Sequence, residues 1–206
     1  MTSWWLRFLR DALIALVSTY AIYLGGLLLG LGVLIVFDVP GSEKFIGNHV
    51  SYLLLAVSII LFLTGKFLYG SDRMPVRMSG GALIIFAAAL LGAWIGIEVQ
   101  YFTVQHGVED LGLYDGPGHA AVVASALLVQ RSKNRSINRV GSIMVVLASV
   151  VVMQFVWNSI KYSRLVSDLH LAVEHRSMLN WLNLALILLV AGLTSAHLIR
   201  RSHQSA

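Results

Sequence analysis

The sequence predicts an all-α fold, a polytopic integral membrane protein built as a bundle of six transmembrane helices with both termini cytoplasmic. Hydrophobic residues make up 57% of the 206 residues and charged residues only 12%, whereas a soluble domain carries about 25% charged residues. Long apolar runs recur along the chain, and basic residues collect in alternate loops. We therefore expect a single transmembrane helical domain over residues 1–206.

The composition also excludes several classes of protein. A chain with no cysteine has no disulfide scaffold, thiolate metal site, iron–sulfur cluster or cysteine nucleophile. Its high hydrophobicity excludes an intrinsically disordered chain. The formal net charge of +5 lies mostly in the basic loops, which suit anionic lipid headgroups, so it needs no nucleic-acid partner.

Five apolar runs are long enough to cross a bilayer, which takes about 20 residues. They occupy residues 12–37, 51–69, 81–103, 141–160 and 179–199. The motifs Gly26-x-x-x-Gly30 and Gly92-x-x-x-Gly96 let helices approach closely, and we expect them to serve packing within the chain rather than a dimer interface. Gln154 is expected to form hydrogen bonds between helices, as is Asn158 one turn later, and the alternative is that they line a polar path.

The remaining span, fourth in chain order, is the weakest. Its apolar core, residues 119–129, would rise only about 17 Å. Asp115 as N-cap and Pro117 near the first helical position predict a longer helix, from about Gly116 to about Lys133. That helix would be long enough to cross, and a short or partly re-entrant segment is the alternative.

Charge asymmetry favours the crossing. Of the 15 Lys and Arg residues, 11 fall in segments assigned to the cytoplasm and 4 in the opposite segments. If the fourth helix did not cross, the basic loop 131–139 would face outside, against the positive-inside bias. We expect a multi-pass protein of a bacterial inner (plasma) membrane. Its partners would be the lipid bilayer and, as candidates, other membrane subunits or a second copy of the chain.

Acids and histidines collect on the other side. Eight of the 10 acids and five of the 7 histidines fall in outer loops or the outer third of a span. Two pairs, Asp115 with His119 and His170 with Glu174, have the spacing of one helical turn. Imidazole and carboxylate suit a divalent metal, which is the candidate cofactor. The candidate metal ligands are His106, His119, His170, Glu174 and His175. The alternative is that these loops are polar because they face water.

Glu98 is an ionisable residue within an apolar span. Such residues are costly in a bilayer and usually face the bundle interior or a wet cavity. With Asp115 and Arg164, Glu98 is the candidate ligand-binding group of an outward-facing site, and its expected partners are Lys161, Arg164 or His170. The alternative is a residue just inside the interface that reaches water.

Loop residues resemble the motifs of the membrane-bound type 2 phosphatidic acid phosphatases, K-x6-R-P, P-S-G-H and S-R-x5-H-x3-D. The matching residues are Lys66, Arg73 and Pro75, then Pro117, Gly118 and His119, then Ser163, Arg164, His170 and Glu174. The resemblance implies that His170 is the nucleophile, Glu174 its orienting acid and His119 the general acid, with basic residues such as Arg164 holding a lipid phosphate. Here the serine of the second motif is missing, and span 81–103 places the first motif on the opposite face from the other two.

Three function classes follow. The favoured one is a small transport or membrane-complex subunit whose outward-facing His/carboxylate site binds a metal, cation or polar ligand. The next is a structural or assembly partner without a site of its own. The third is a phosphatase that acts on lipid-linked phosphate at the outer leaflet.

Overall fold

The computed structural model describes residues 4–37, 51–105, 115–161 and 176–204, which form six α-helices. In chain order these are α1 (Trp4–Phe37), α2 (Ser51–Tyr69), α3 (Met74–Gln105), α4 (Asp115–Gln130), α5 (Arg135–Lys161) and α6 (Arg176–Gln204). Five of them, all except α4, are long and apolar enough to cross a membrane. The chain is therefore an all-helical, multi-pass integral membrane protein, as the sequence predicts.

The five long helices cover the five predicted apolar runs and extend past most of them. The bounds of α2 coincide with the predicted run, whereas α1 begins at Trp4 rather than residue 12 and α5 at Arg135 rather than residue 141. An apolar run stops at the first charged residue, but a helix continues through a charged turn when that turn lies at the polar interface. The 16 residues of α4 rise about 24 Å.

The end of α4 differs from the prediction because the chain reverses there into α5. The side chain of Asn138 donates a hydrogen bond to the carbonyl of Gln130, the last residue of α4. The side-chain oxygen of Asn134 accepts from the backbone N–H of Ser136 at 2.9 Å and so caps the start of α5. Gly141 lies against the backbone of Gln130, so the two helices meet closely beside the turn. The helix therefore stops at Gln130 rather than at Lys133.

The described residues pack as two compact units. The central unit lies within Tyr20–Ser125 and contains α2, α3, the later part of α1 and most of α4. The terminal unit lies within Met1–Thr19 and Ala126–Ala206 and contains α5, α6, the beginning of α1 and the end of α4.

Small residues bring α2 and α3 together in the central unit. A Cβ built on Gly65 would lie 2.9 Å from the carbonyl oxygen of Gly80 and equally close to the side chain of Ile84, which leaves no room for one. Ser58 donates a hydrogen bond to the carbonyl of Ala87 at 2.8 Å, so the close approach also satisfies a buried hydroxyl.

In the terminal unit, polar side chains join α5 to the antiparallel α6. Asn183 Nδ2 donates to Gln154 Oε1 at 3.2 Å, and Thr194 donates to Ser149 at 3.2 Å. The predicted interhelical role of Gln154 is therefore confirmed, whereas the side chain of Asn158 lies outside the described part of the chain. No residue of the Met178–Leu198 span is buried, which suits an apolar helix that contacts lipid.

Candidate functional site

Most of the predicted outer site falls outside the described residues. This is true of His106, Arg164, His170, Glu174 and His175, and of Ser163 in the phosphatase-like motif. Asp115 is the first residue of α4 and Lys161 the last of α5, but their side chains are not among those described. Within the described ranges, no group of three or more histidines and acids could hold a metal ion. The candidate metal ligands therefore stay a prediction.

The start of α4 packs against α1 through the first of the two predicted glycine motifs. A Cβ built on Gly26 would lie 2.7 Å from Cα of Gly118, and one built on Gly30 would lie 2.7 Å from Cγ of Pro117. Only a residue without a side chain permits this approach. The predicted use of this motif for packing within the chain is confirmed.

The second motif, which lies in α3, packs against the same turn of α4. A Cβ built on Gly92 would overlap the backbone of Gly116 and lie 2.8 Å from Cβ of Ala120. Gly96, one turn further along α3, lies beside the same glycine, with 3.8 Å between its nitrogen and a Cβ built on Gly116. The first turn of α4 is thus held between α1 and α3 at positions where none of the three helices tolerates added volume.

His119 takes part in the contact between α4 and α1. Its half-buried ring meets the ring of Tyr23 edge to face, with 5.4 Å between centroids and 87° between planes. Tyr23 precedes Gly26 by three residues, so both lie on the side of α1 that faces α4. Sequence reasoning treated His119 only as a ligand or acid, although the spacing of Tyr23 from the glycine motif indicates the packing role.

The first two phosphatase-like motifs lie at different levels of the central unit. The residue before Lys66 packs against Gly80 of α3, whereas the residue after His119 packs against Gly92. Between residues 80 and 92, α3 rises about 18 Å. The structure therefore does not bring Lys66 and His119 together.

Glu98 lies on the face of α3 that contacts α2. That face carries Gly80, Ile84 and Ala87, each of which touches α2. Glu98 follows Ala87 by three helical turns, and 100° per residue leaves it within about 20° of the same direction. Its side chain is half-buried. The expectation that Glu98 faces the bundle interior or a wet cavity, with a residue that reaches water as the alternative, stays a prediction.

The α2 helix begins close to the level of Glu98. Because Ser58 pairs with Ala87 in an antiparallel arrangement, Ser51 at the start of α2 comes level with about Trp94 of α3, and Glu98 lies one turn beyond. The indole Nε1 of Trp94 is buried and has no hydrogen-bond partner among the described residues. A buried donor without an acceptor is costly, so this position favours an added polar group.

A second polar cluster joins the starts of α1 and α5 in the terminal unit. Asp11 is 2% exposed, and its Oδ1 accepts hydrogen bonds from Arg10 Nη2 at 2.8 Å and from Arg10 Nε at 3.1 Å. Its Oδ2 lies 3.4 Å from Nε of Arg139. Arg10 Nη2 also donates to Ser136 at 3.3 Å. Sequence reasoning placed Asp11 on the inner side but did not predict this pairing. The available signal was an acid that stands beside basic residues at the edge of a span.

Comparison with protein-family models, with curated proteins and with solved structures finds no match to this chain. Function therefore rests on the chain's own geometry. Its main features are the Glu98 carboxylate on the α2-facing side of α3, the tightly held start of α4, and the charged cluster at the starts of α1 and α5.

Proposed function

We propose that this chain is a transport or membrane-complex subunit whose outward end carries a polar site around Glu98. The site would bind a metal, a cation or another polar ligand. The observation that carries the proposal is the placement of Glu98 one turn beyond the buried, unpartnered indole N–H of Trp94, as found among the described residues. The protein would act in a bacterial inner membrane, with other membrane subunits or a second copy of itself as partners.

The proposal includes six crossings, and the contact between α1 and α5 supports that number. Asp11 and Arg139 bring the starts of the two helices together, so both helices begin at the same face of the bilayer. If α1 and α5 begin at the same face, the chain between their starts must cross the bilayer an even number of times. The three apolar helices α1, α2 and α3 supply three crossings, and α4 then supplies the fourth.

Two further helices, α5 and α6, bring the count to six and return the chain to the face where it began. The excess of basic residues assigns that face to the cytoplasm. The outer loops then carry most of the acids and histidines, and the end of α3 that holds Glu98 lies with them.

The short α4 suits a crossing that is enclosed by protein. Pro117, Val122 and Ser125 are buried, and the hydroxyl of Ser125 is satisfied by the carbonyl of Ala121 at 2.7 Å. Polar helix ends at membrane depth are tolerated where protein rather than lipid covers them. The close packing of α1 and α3 on the first turn of α4 provides such a cover.

The chemistry of the site follows from its two described groups. An ionised carboxylate near apolar surroundings attracts a cation, and an indole N–H donates a hydrogen bond to an anionic or neutral oxygen. Carboxylate oxygens suit Mn²⁺ and, together with imidazole, Zn²⁺. The histidines of the outer loops are the candidate source of that imidazole.

The test is the substitution Glu98→Gln, which keeps the size of the side chain and removes its charge. Calorimetric titration of the purified protein in lipid nanodiscs with Mn²⁺ and with Zn²⁺ measures the affinity. We expect at least one of these ions to bind the wild type and to bind the variant at least tenfold more weakly. The matched control is Asp72→Asn, which neutralises an exposed acid in the turn between α2 and α3 and is expected to leave the affinity unchanged.

A second measurement covers proton transfer. Wild-type and variant proteins are reconstituted in liposomes that contain a pH-sensitive dye, and proton entry is followed under an imposed membrane potential. A proton relay through Glu98 predicts entry that Glu98→Gln abolishes and Asp72→Asn preserves. Equal ion affinity and equal proton entry in wild type and Glu98→Gln would contradict the proposed site.

A further inference from the structure

We propose that the starts of α1 and α5 form a binding site for the phosphate of an anionic phospholipid in the adjoining leaflet. The site is separate from Glu98 and does not depend on the function proposed for it. We call it the arginine cluster. Its members are Arg7, Arg10, Asp11, Arg135, Ser136 and Arg139.

Asp11 assembles the arginine cluster. Its buried carboxylate holds Arg10 of α1 directly and lies 3.4 Å from Arg139 of α5. Arg7 precedes Asp11 by four residues and Arg135 precedes Arg139 by four, so each lies one turn away on the same side of its helix. Two guanidinium groups therefore pair with the carboxylate, and two further arginines lie one helical turn from this contact.

The charges of the arginine cluster do not balance. Four arginines contribute +4 and Asp11 contributes −1, which leaves +3. The side chains of Arg10 and Arg139 remain 56% and 49% exposed while they pair with Asp11. Among the described residues, Nη1 of Arg10 and both terminal nitrogens of Arg139 make no hydrogen bond or ion pair that would occupy them. These donors are positioned for a further anion, and guanidinium groups bind phosphate oxygens in pairs.

The position of the arginine cluster matches the headgroup layer. The candidate spans begin at Trp5 and at Arg135, so all four arginines lie within the first two turns of a membrane-crossing helix. Trp5 is exposed there, as expected of an aromatic side chain at a membrane interface. Long basic side chains at this depth extend toward the lipid phosphates.

Exposed apolar side chains beside the arginines favour a lipid over a free phosphate. Leu6, Leu9 and Leu13 are exposed on α1. At about 100° per residue they share one face of the helix, beside the direction of Arg10, and offer a surface for acyl chains. A soluble phosphate would bind through the arginine charges alone, whereas a phospholipid would bind through the charges and the apolar surface.

The test compares lipids and charge-removing variants in detergent solution. The thermal unfolding temperature is followed as phosphatidylglycerol or phosphatidylcholine is added to the full-length protein. The variant Arg7→Gln/Arg135→Gln removes two charges without touching the Asp11 contacts. We expect it to need about thirtyfold more phosphatidylglycerol for half-maximal stabilisation, since each basic group near an anionic surface contributes about 1 kcal/mol and 1.4 kcal/mol is a factor of ten.

The matched control is Arg77→Gln, which removes an exposed arginine from the first turn of α3. We expect it to resemble the wild type within about twofold, as for surface charges away from a binding site. If the double variant cannot be purified, the two single variants are expected to weaken the response about fivefold each. Soluble glycerol 3-phosphate is the competing headgroup without acyl chains, and we expect it to give no stabilisation.

Three results would overturn the proposal. The first is equal stabilisation by the two lipids, and the second is an equal loss of response in the arginine-cluster variants and in Arg77→Gln. The third is stabilisation by glycerol 3-phosphate at the concentration at which phosphatidylglycerol acts, which would assign the cluster to a soluble phosphate.

Discussion

At Asp11 a single carboxylate is buried between two arginines that remain half-exposed. Because both arginine side chains stay half-exposed while they pair with Asp11, they keep much of their solvation. The Asp11 carboxylate is buried and loses its own solvation. Without the carboxylate, two guanidinium groups would face each other across the contact between α1 and α5. Asp11 therefore links the starts of α1 and α5.

We predict that Asp11→Asn destabilises the protein. The amide keeps the shape but loses the charge, and hydrogen bonds to charged groups contribute about 1.5–3 kcal/mol. Because both partners are half-exposed, we expect a loss of about 1–2 kcal/mol in the free energy of unfolding, measured by thermal or denaturant unfolding in micelles. Asp72→Asn changes an exposed acid and serves as the control. Equal stability of the two variants would show that the Asp11 contacts contribute nothing.

Glycine contacts determine how the helices of the central unit meet. Gly26 and Gly30 of α1 and Gly92 of α3 each lie so close to the first turn of α4 that a Cβ would overlap its backbone or its proline ring. Gly25 and Gly32 belong to the same helix as the first pair, yet a Cβ built on either would have nothing within 4 Å. Neighbouring glycines in one helix therefore differ in whether the surrounding structure leaves room for a Cβ atom.

We predict opposite effects of alanine at two adjacent positions in α1. Gly26→Ala introduces a methyl group 2.7 Å from Cα of Gly118 and should destabilise the fold, by about 1–3 kcal/mol as in other overpacked interiors. Gly25→Ala meets open space and should leave stability unchanged or raise it by up to about 1 kcal/mol through helix propensity. Unfolding of both variants in the same detergent provides the comparison. A destabilisation of similar size in both would contradict the packing described for α1 and α4.

The elements could be predicted from the sequence because lipid imposes a simple pattern on it. Apolar length identified five of the helices, and the two Gly-x-x-x-Gly motifs identified two places where helices approach closely within the chain. The true starts of α1 and α5 could not be predicted from apolar runs, because both helices continue through basic residues at which such a run stops. The packing of His119 on Tyr23 joins residues 96 positions apart, and its one signal in the sequence was the spacing of Tyr23 from the glycine motif. For the outer site, the sequence identified Glu98 but could not indicate that the indole N–H of Trp94, one turn before it, is buried without a partner among the described residues, because that depends on how the helices pack.

At the scale of the whole chain, the proposed topology sorts the few charges by side. Bases gather in the segments assigned to the cytoplasm, and acids with histidines gather in the opposite segments. Both proposed sites depend on this sorting, since Glu98 belongs to the outer end and the arginine cluster to the inner end. The sorting holds only if α4 crosses the bilayer, which makes that crossing the central claim.

The crossing of α4 is tested most directly by cysteine labelling, because the chain has no cysteine of its own. Single substitutions Ser132→Cys, in the turn after α4, and Ser71→Cys, in the turn after α2, are treated in intact cells with a membrane-impermeant maleimide. Ser42→Cys, between α1 and α2 in the sequence, is the outside control. We predict that Ser132→Cys behaves like Ser71→Cys, protected in intact cells and labelled after permeabilisation, while Ser42→Cys is labelled in both. Labelling of Ser132→Cys in intact cells to the extent seen for Ser42→Cys would contradict the crossing.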